Sequence, residues 1–255
     1  MRVMTFNIQH ALDFQKRIID TDLFVRAISK YDADVCGLNE VRGAGSIEGY
    51  TDQAPAIGDG LGYHHYFGEA IRVKGTSPYG NAIVSRNPFV SAETVMIPDP
   101  DDKCEGGHYE TRCVIKTVVN FDGTDVTFLV CHMGLNLSER ENAVKTICNL
   151  IDACSTPIVL TGDFNTLPDS PELQPIRDRL TDSTIHDENP GAPTFPSDAP
   201  KTKIDYIFYR GLACSRVATI NEIYADHLPI LAEFALEERT VKPPLPIEEA
   251  AAFFA

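Results

Sequence analysis

The amino-acid sequence predicts an α/β protein built around one large core, on three observations. Short apolar runs of strand length alternate with segments whose apolar residues keep the spacing of a helix face. The chain has 255 residues, 43% of them hydrophobic, which suffices for a single core of the size that α/β and sandwich folds use as one domain. It holds no Gly-x-Gly-x-x-Gly and no Gly-Lys-Ser/Thr loop, which disfavours an open parallel sheet built around a nucleotide.

The elements follow in order. Residues 3–8 read as a buried strand, and residues 22–30 as a helix, because Leu23, Phe24, Ala27, Ile28 and Tyr31 fall on one helical face. Val35-Cys36-Gly37-Leu38 is the next strand. Residues 43–60 are Gly-rich and poor in large apolar side chains, so they read as loop leading to a short helix toward Leu61. Strands are expected at 63–67, 80–85 and 89–97, and residues 98–107 form an acidic loop containing Pro and Gly. Residues 112–120 and 126–131 pair across Phe121-Asp122-Gly123-Thr124, where Asp-Gly is a strong turn signal. Ser138-Glu139-Arg140-Glu141 has the form of a capping box. It opens a helix to about Cys154 with Ala143, Ile147, Leu150 and Ile151 inward. A short central strand at 158–160 and strands at 203–209, 213–220 and 228–234 close the pattern, with no internal sequence repeat apparent.

The charge balance narrows the ligands. Thirty-seven acids against twenty-two bases give a net charge of -15, and no run of Lys and Arg exceeds two residues. Non-specific nucleic-acid binding is driven by Lys and Arg that neutralise phosphates, so duplex nucleic acid is a disfavoured partner. The seven cysteines show no Cys-x-x-Cys pair and lie mostly in apolar stretches, which predicts buried free thiols rather than a disulfide framework or a thiolate zinc site. No apolar stretch approaches the ~20 residues of a membrane span. Met1-Arg2-Val3-Met4-Thr5 enters the first strand without a signal-peptide pattern, so a soluble, cytoplasmic protein is expected.

Chemistry concentrates where apolar runs end in a polar side chain. Thr5-Phe6-Asn7, Leu38-Asn39-Glu40, Cys131-His132-Met133-Gly134-Leu135, Thr161-Gly162-Asp163-Phe164-Asn165 and Ala225-Asp226-His227 all have this form. Each reads as a buried strand that delivers one functional group to a sheet edge. Glu40 emerges directly from Val-Cys-Gly-Leu-Asn, where an oxygen ligand for Mg²⁺ is better placed than a solvated cap. Asp205 lies inside the apolar stretch Ile204-Asp205-Tyr206-Ile207-Phe208, and an unpaired buried charge there would be costly, so it must have a partner.

Taken in this order, with Ile204-Asp205-Tyr206-Ile207-Phe208 between the fourth and fifth motifs, the chain resembles the endonuclease/exonuclease/phosphatase superfamily, the fold of deoxyribonuclease I and exonuclease III. The resemblance runs from Met1 to about Leu236 and leaves 237–255 as a C-terminal tail. It implies a four-layer sandwich of two packed, mostly antiparallel β-sheets flanked by helices. Residues 247–254 of the tail read equally as a short docking helix or as disorder.

The resemblance also assigns roles. It implies that Glu40 holds a divalent cation, Mg²⁺ or Mn²⁺, with Asn7 and Asp226. Asp163 orients or deprotonates the attacking water, Asn165 binds a phosphoryl oxygen or a second cation, and His227 donates to the phosphoryl oxygen. His132 makes a further phosphate contact or assists the leaving group, and Asp205 orients His227. In Tyr109-Glu110-Thr111-Arg112, the Arg112 fork either clamps a substrate phosphate with Glu110 holding it or forms a surface ion pair. Tyr109 and Glu110 count as substrate-contact candidates beside it. Asn81 is expected to line the cleft, while His10, His64, His65, His108 and His186 default to surface or structural roles.

The implied activity is a divalent-metal-dependent phosphoesterase that attacks with water directly. Asn39 stands where many relatives have Gln, a change that leaves Glu40 in place. Gln9 stands where abasic-site nucleases of the family carry an acid, and the chain has no Trp and no basic insertion. These departures favour a small-molecule, nucleotide or lipid-headgroup phosphoester over DNA. A nuclease is the first alternative, and a non-catalytic relative that binds a phosphorylated ligand or a partner protein is the second.

Overall fold

The computed structural model describes residues 1–236, so the tail of 237–255 and the expectation for 247–254 lie outside the described residues. The elements are β1 (Arg2–Asn7), β2 (Leu12–Asp13), β3 (Ile18–Ile19), α1 (Thr21–Lys30), β4 (Val35–Arg42), α2 (Gln53–Leu61), β5 (His64–Val73), β6 (Ser77–Ser85) and β7 (Phe89–Met96). They continue with β8 (Cys113–Phe121), β9 (Thr124–His132), α3 (Leu137–Asp152), β10 (Ile158–Asp163), α4 (Gln174–Arg177), β11 (Thr181–Asp182), β12 (Asp205–Arg210), β13 (Leu212–Thr219) and β14 (Ile230–Leu236).

Two six-stranded sheets form, in the orders β13-β14-β1-β4-β6-β5 and β11-β12-β10-β9-β8-β7. Each has the same plan. A central parallel pair, β1 with β4 or β9 with β10, is joined through a crossover helix, α1 or α3, and antiparallel strands flank it on both sides. A parallel pair needs such a crossover, and its two strands end at the same sheet edge. The halves therefore repeat in topology although no sequence repeat is visible. The mostly antiparallel sandwich expected from the family resemblance is the observed architecture.

Three apolar clusters make the layers. Val3, Val35, Ile83, Val130, Val159 and Ile207 fill the space between the sheets. Phe6, Phe24, Ile28 and Ile57 pack α1 and α2 on the outside of the first sheet, and Leu129, Ile147, Ile151 and Leu160 pack α3 on the outside of the second. The helix faces match the period-3.6 pattern, since Phe24, Ala27 and Ile28 of α1 are buried. On α3 the inward face is Ala143, Val144, Ile147, Cys148 and Ile151, with Leu150 only half-buried.

Several expectations are corrected. The cap of α3 is Asn136, not Ser138, because Asn136 is extended at ψ 150 and its backbone N–H donates to the Glu139 carboxylate at 3.1 Å. The strand of Leu38 continues to Arg42, and α2 occupies part of the Gly-rich stretch before Gly62 closes it in the left-handed region at φ 70. The expectation of free thiols, in contrast, holds: all seven cysteines are free, with Cys36, Cys113, Cys131 and Cys148 buried and Cys104 exposed. No helix among the described residues is long and apolar enough to cross a membrane.

Gly37 lets the sheets approach near the site. A Cβ there would stand 2.3 Å from Thr161 Oγ1 and 3.1 Å from a Val130 methyl, all three in the sheet-to-sheet layer. Gly37→Ala is expected to lower stability by roughly 1–3 kcal/mol through overpacking. Thermal denaturation measures it, and an unchanged melting temperature would contradict the close approach.

Candidate active site

The register of the parallel pairs assembles the site. In the first sheet Asn7 stands opposite Asn39, and in the second Asp163 stands opposite His132 on one side and Asp205 on the other. Both sheets thus present their polar strand ends at one edge. Asn39 ties them together: its amide nitrogen donates to the Cys131 carbonyl at 2.8 Å, and its amide oxygen accepts from the Asp163 backbone N–H at 3.0 Å.

Local backbone distortion aims the side chains. β4 carries a bulge between Leu38 and Val41, and within it Glu40 sits at φ 59. A bulge re-aims a side chain that a regular strand would point elsewhere. Here the Glu40 carboxylate accepts from Asn7 Nδ2 at 3.0 Å and from the Tyr79 hydroxyl at 2.9 Å. Asn165 is also left-handed, at φ 49, and its backbone N–H donates to Asp163 Oδ1 at 2.9 Å. Non-glycine residues in that region are uncommon and concentrate at functional sites.

Asp163 is the centre. It is 2% exposed, and Asn7 Nδ2 donates to its Oδ2 at 3.1 Å. His132 Nε2 and His227 Nε2 approach that same oxygen at 3.5 and 3.6 Å. His227 Nδ1 donates to Asp205 Oδ2 at 2.9 Å, and the Phe195 ring lies against the imidazole with centroids 4.8 Å apart.

Burial pushes the Asp163 carboxyl up to about 7 despite the pull of His227. For His227 burial acts against the charged ring, but Asp205 and then Asp163 outweigh it and lift its pKa to about 10. For His132 burial, Arg112 and His227 all act in one direction and hold it well below the usual imidazole range. The two histidines are therefore biased in opposite directions, His227 toward the charged ring and His132 toward the neutral one.

The oxygen-rich side of the site fits a hard divalent cation. Asp226 Oδ2 accepts from Gln9 Nε2 at 2.9 Å, while Asp226 Oδ1 and Gln9 Oε1 are buried without hydrogen-bond partners. Burial lifts the Asp226 carboxyl to about 6, His227 pulls it down, and Glu40 adds to the rise. Two carboxylates that feel each other, beside unmatched amide and carboxylate oxygens, are the donor set that Mg²⁺ takes. Asp163, Asp205 and His227 also bring ligand atoms within 4.8 Å of one another. That trio suits a cation less, because His227 Nδ1 is committed to Asp205.

Glu40, Asn7, Asp163, Asn165, His132, Asp205, Asp226 and His227 are thus brought together. Asn165 turns its amide nitrogen to the Met133 carbonyl at 2.9 Å. Arg112 reaches the site through His132, with Glu110 behind it. Asn81 does not offer a free amide to the cleft. It is 2% exposed, its nitrogen donates to the Cys113 carbonyl at 3.0 Å and its oxygen accepts from Asn39 at 2.9 Å, so it braces the two sheets. Tyr109 folds back on its own loop, where its hydroxyl accepts from the Glu105 backbone N–H at 3.0 Å.

Three residues at the site carried no signal as candidates. Tyr79 holds Glu40. The His10 ring centroid lies 6.4 Å from that of Tyr79, and burial and then Arg42 lower its pKa while Glu40 opposes them. Lys203 is 3% exposed, donates to the Asp205 carbonyl at 3.1 Å and lies 3.3 Å from the Tyr206 ring centroid. The distorted backbone at Gln9, His10 and Ala11, with φ of 45, 48 and 59, brings His10 in and is not readable from residue type.

Known structures share this architecture. The chain is similar to an endonuclease/exonuclease/phosphatase protein from Beutenbergia cavernae, with 24% identity, a TM-score of 0.78 and coverage of 92% of this chain and 71% of that one. A family protein from Leptotrichia buccalis gives 22% identity, a TM-score of 0.73 and coverage of 92% and 100%. A mannosyl-6-phosphatase from Bacteroides thetaiotaomicron gives 16% identity, a TM-score of 0.70 and coverage of 92% and 100%. No curated protein sequence matches the chain significantly. The family profile described as Endonuclease/Exonuclease/phosphatase matches residues 4–227. With that match spanning the site motifs from Asn7 to His227, the chain belongs to the endonuclease/exonuclease/phosphatase family, whose members are hydrolases of phosphoester bonds.

Proposed function

We propose that this protein is a divalent-metal-dependent phosphoesterase acting by direct attack of water on a small-molecule, nucleotide or lipid-headgroup phosphoester. The observation that carries the reading is the convergence of two imidazole Nε2 atoms on Asp163 Oδ2, beside the Glu40 and Asp226 carboxylates. Glu40, Asn7 and Asp226 would hold Mg²⁺ or Mn²⁺, which would neutralise charge on the phosphoryl oxygens. Asp163, raised toward neutrality, accepts the proton of the attacking water as its oxygen bonds phosphorus and the leaving oxygen departs. The imidazolium of His227 and the imidazole of His132 donate hydrogen bonds toward the developing negative charge. Asp205 keeps His227 protonated and turned inward.

Glu40→Gln is expected to raise the Mg²⁺ concentration for half-maximal activity by about tenfold or more, because a charged ligand is lost from a site with few protein ligands. A metal titration that does not move would remove Glu40 from the ligand set.

Charge supports the small substrate. A chain of net charge -15 neutralises few phosphates, so duplex DNA should bind weakly and with a shallow salt dependence. The likeness in fold to a mannosyl-6-phosphatase from Bacteroides thetaiotaomicron is compatible with a small phosphoester as substrate. Hydrolysis of a panel of small phosphomonoesters and phosphodiesters, compared with plasmid nicking at equal enzyme and Mg²⁺ near physiological salt, is the test. The panel is expected to win, and plasmid nicking that exceeds every small substrate would replace this reading with a nuclease.

A further inference from the structure

The two imidazoles approach the same carboxylate oxygen but have opposite charges behind them. His227 Nδ1 faces the Asp205 carboxylate at 2.9 Å, whereas His132 Nδ1 faces the Arg112 guanidinium, with Nη1 at 3.3 Å. An arginine side chain is always protonated and carries donors only. His132 Nδ1 must therefore accept, and the ring proton must sit on Nε2, the atom turned toward Asp163.

Arg112 is held where it can impose this. Its side chain is 13% exposed, and Nη1 lies 2.5 Å from Glu110 Oε1. The Glu110 backbone N–H in turn donates to Glu139 Oε1 at 2.9 Å, and Glu139 is the residue that closes the cap of α3. A rigid helix end thus anchors the loop that carries both residues. The charged groups bearing on His132 are Arg112, Asp163 and His227, with Glu110 behind the guanidinium.

We propose that Arg112 is a positioning residue that fixes His132 as the neutral Nε2–H tautomer, so that His132 serves as a hydrogen-bond donor to the reacting phosphoryl group. The catalytic consequence rests on the phosphoesterase reading. The tautomer itself does not, and it is measured without turnover.

The experiment records long-range ¹H–¹⁵N spectra of the imidazoles in the full-length, metal-free, substrate-free protein from about pH 6 to 8, the range in which an unperturbed histidine titrates. His132 is expected to show a bare Nδ1 and a protonated Nε2 throughout. A proton on Nδ1, or a doubly protonated ring, overturns the proposal whether or not the protein hydrolyses any ester. In Arg112→Met the ring is expected to populate both neutral tautomers, because burial still opposes a second proton. The kcat of this variant should fall about tenfold to a hundredfold, and KM should change little. Arg112→Lys keeps a cationic donor and guards against a folding defect in the methionine variant, and it should retain the Nε2–H tautomer. A loss carried in KM with the His132 spectrum unmoved would make Arg112 a substrate clamp and overturn the proposal.

Discussion

Asp163→Asn lowers turnover by roughly a hundredfold to ten-thousandfold and leaves the fold intact, the span that a general base and its associated charge contribute. The substitution is close to isosteric. An asparagine oxygen can still accept from the Asn165 backbone N–H, the bond now made to Asp163 Oδ1 at 2.9 Å, so the turn after β10 is kept. What is lost is the only site atom that both imidazoles and Asn7 approach, and with it the acceptor for the water proton. Removing a carboxylate that is 2% exposed also relieves a desolvation cost, so thermal stability should hold or rise. Steady-state kinetics beside thermal denaturation checks both halves. Retention of more than about a tenth of the activity would end the role given to Asp163.

His227→Ala is expected to produce a loss of the same span, because it removes the hydrogen-bond donor proposed to face the phosphoryl group. Asp205→Asn acts more gently, since the ring remains and only its bias is lost. It should move the pH profile. The folded-state pKa of His227 is raised from 6.5 to about 10, so the stability it contributes is fully present below pH 6.5 and is lost as pH rises through about 10. In the chelated protein, denaturation between these limits should show that decline. In Asp205→Asn the decline moves to lower pH, together with the alkaline loss of activity. A His227 resonance that titrates at its ordinary value in the unaltered protein would contradict the Asp205 contact.

Much of this architecture was legible in the sequence because the strands are buried and their polar ends are abrupt. Asn7, Glu40, His132 and Asp163 each follow an apolar run within a strand, and an apolar run in a two-sheet core leads to a sheet edge; Ala225-Asp226-His227, expected as another strand end, instead lies in the loop between β13 and β14. Asp205 was legible for a different reason, as a charge in an apolar strand that needs a partner, and His227 supplies it. Glu40 reads as a strand end, but the strand runs on to Arg42, and only a bulge with φ 59 turns the carboxylate inward. No residue type announces such a bulge.

Asn81 shows the converse error. A polar residue in an apolar strand near the motifs suggests a cleft, yet the same pattern arises when two sheets are laced together through amides, as Asn39 and Asn81 do. Ser138 is not the cap because Asn136, the last extended residue before α3, lies three residues before Glu139 and forms the capping box with it. Tyr79, His10 and Lys203 reach the site from a neighbouring strand, a left-handed turn and the approach to β12, contacts that tertiary packing alone creates.

The most direct measurement is hydrolysis of a small phosphoester panel by the purified protein with Mg²⁺, after chelation, and with Asp163→Asn under the same conditions. The account predicts turnover of at least one small ester that chelation abolishes, metal readdition restores, and the variant lacks by a hundredfold or more. Hydrolysis that persists without metal, or that survives in the Asp163 variant, would contradict it.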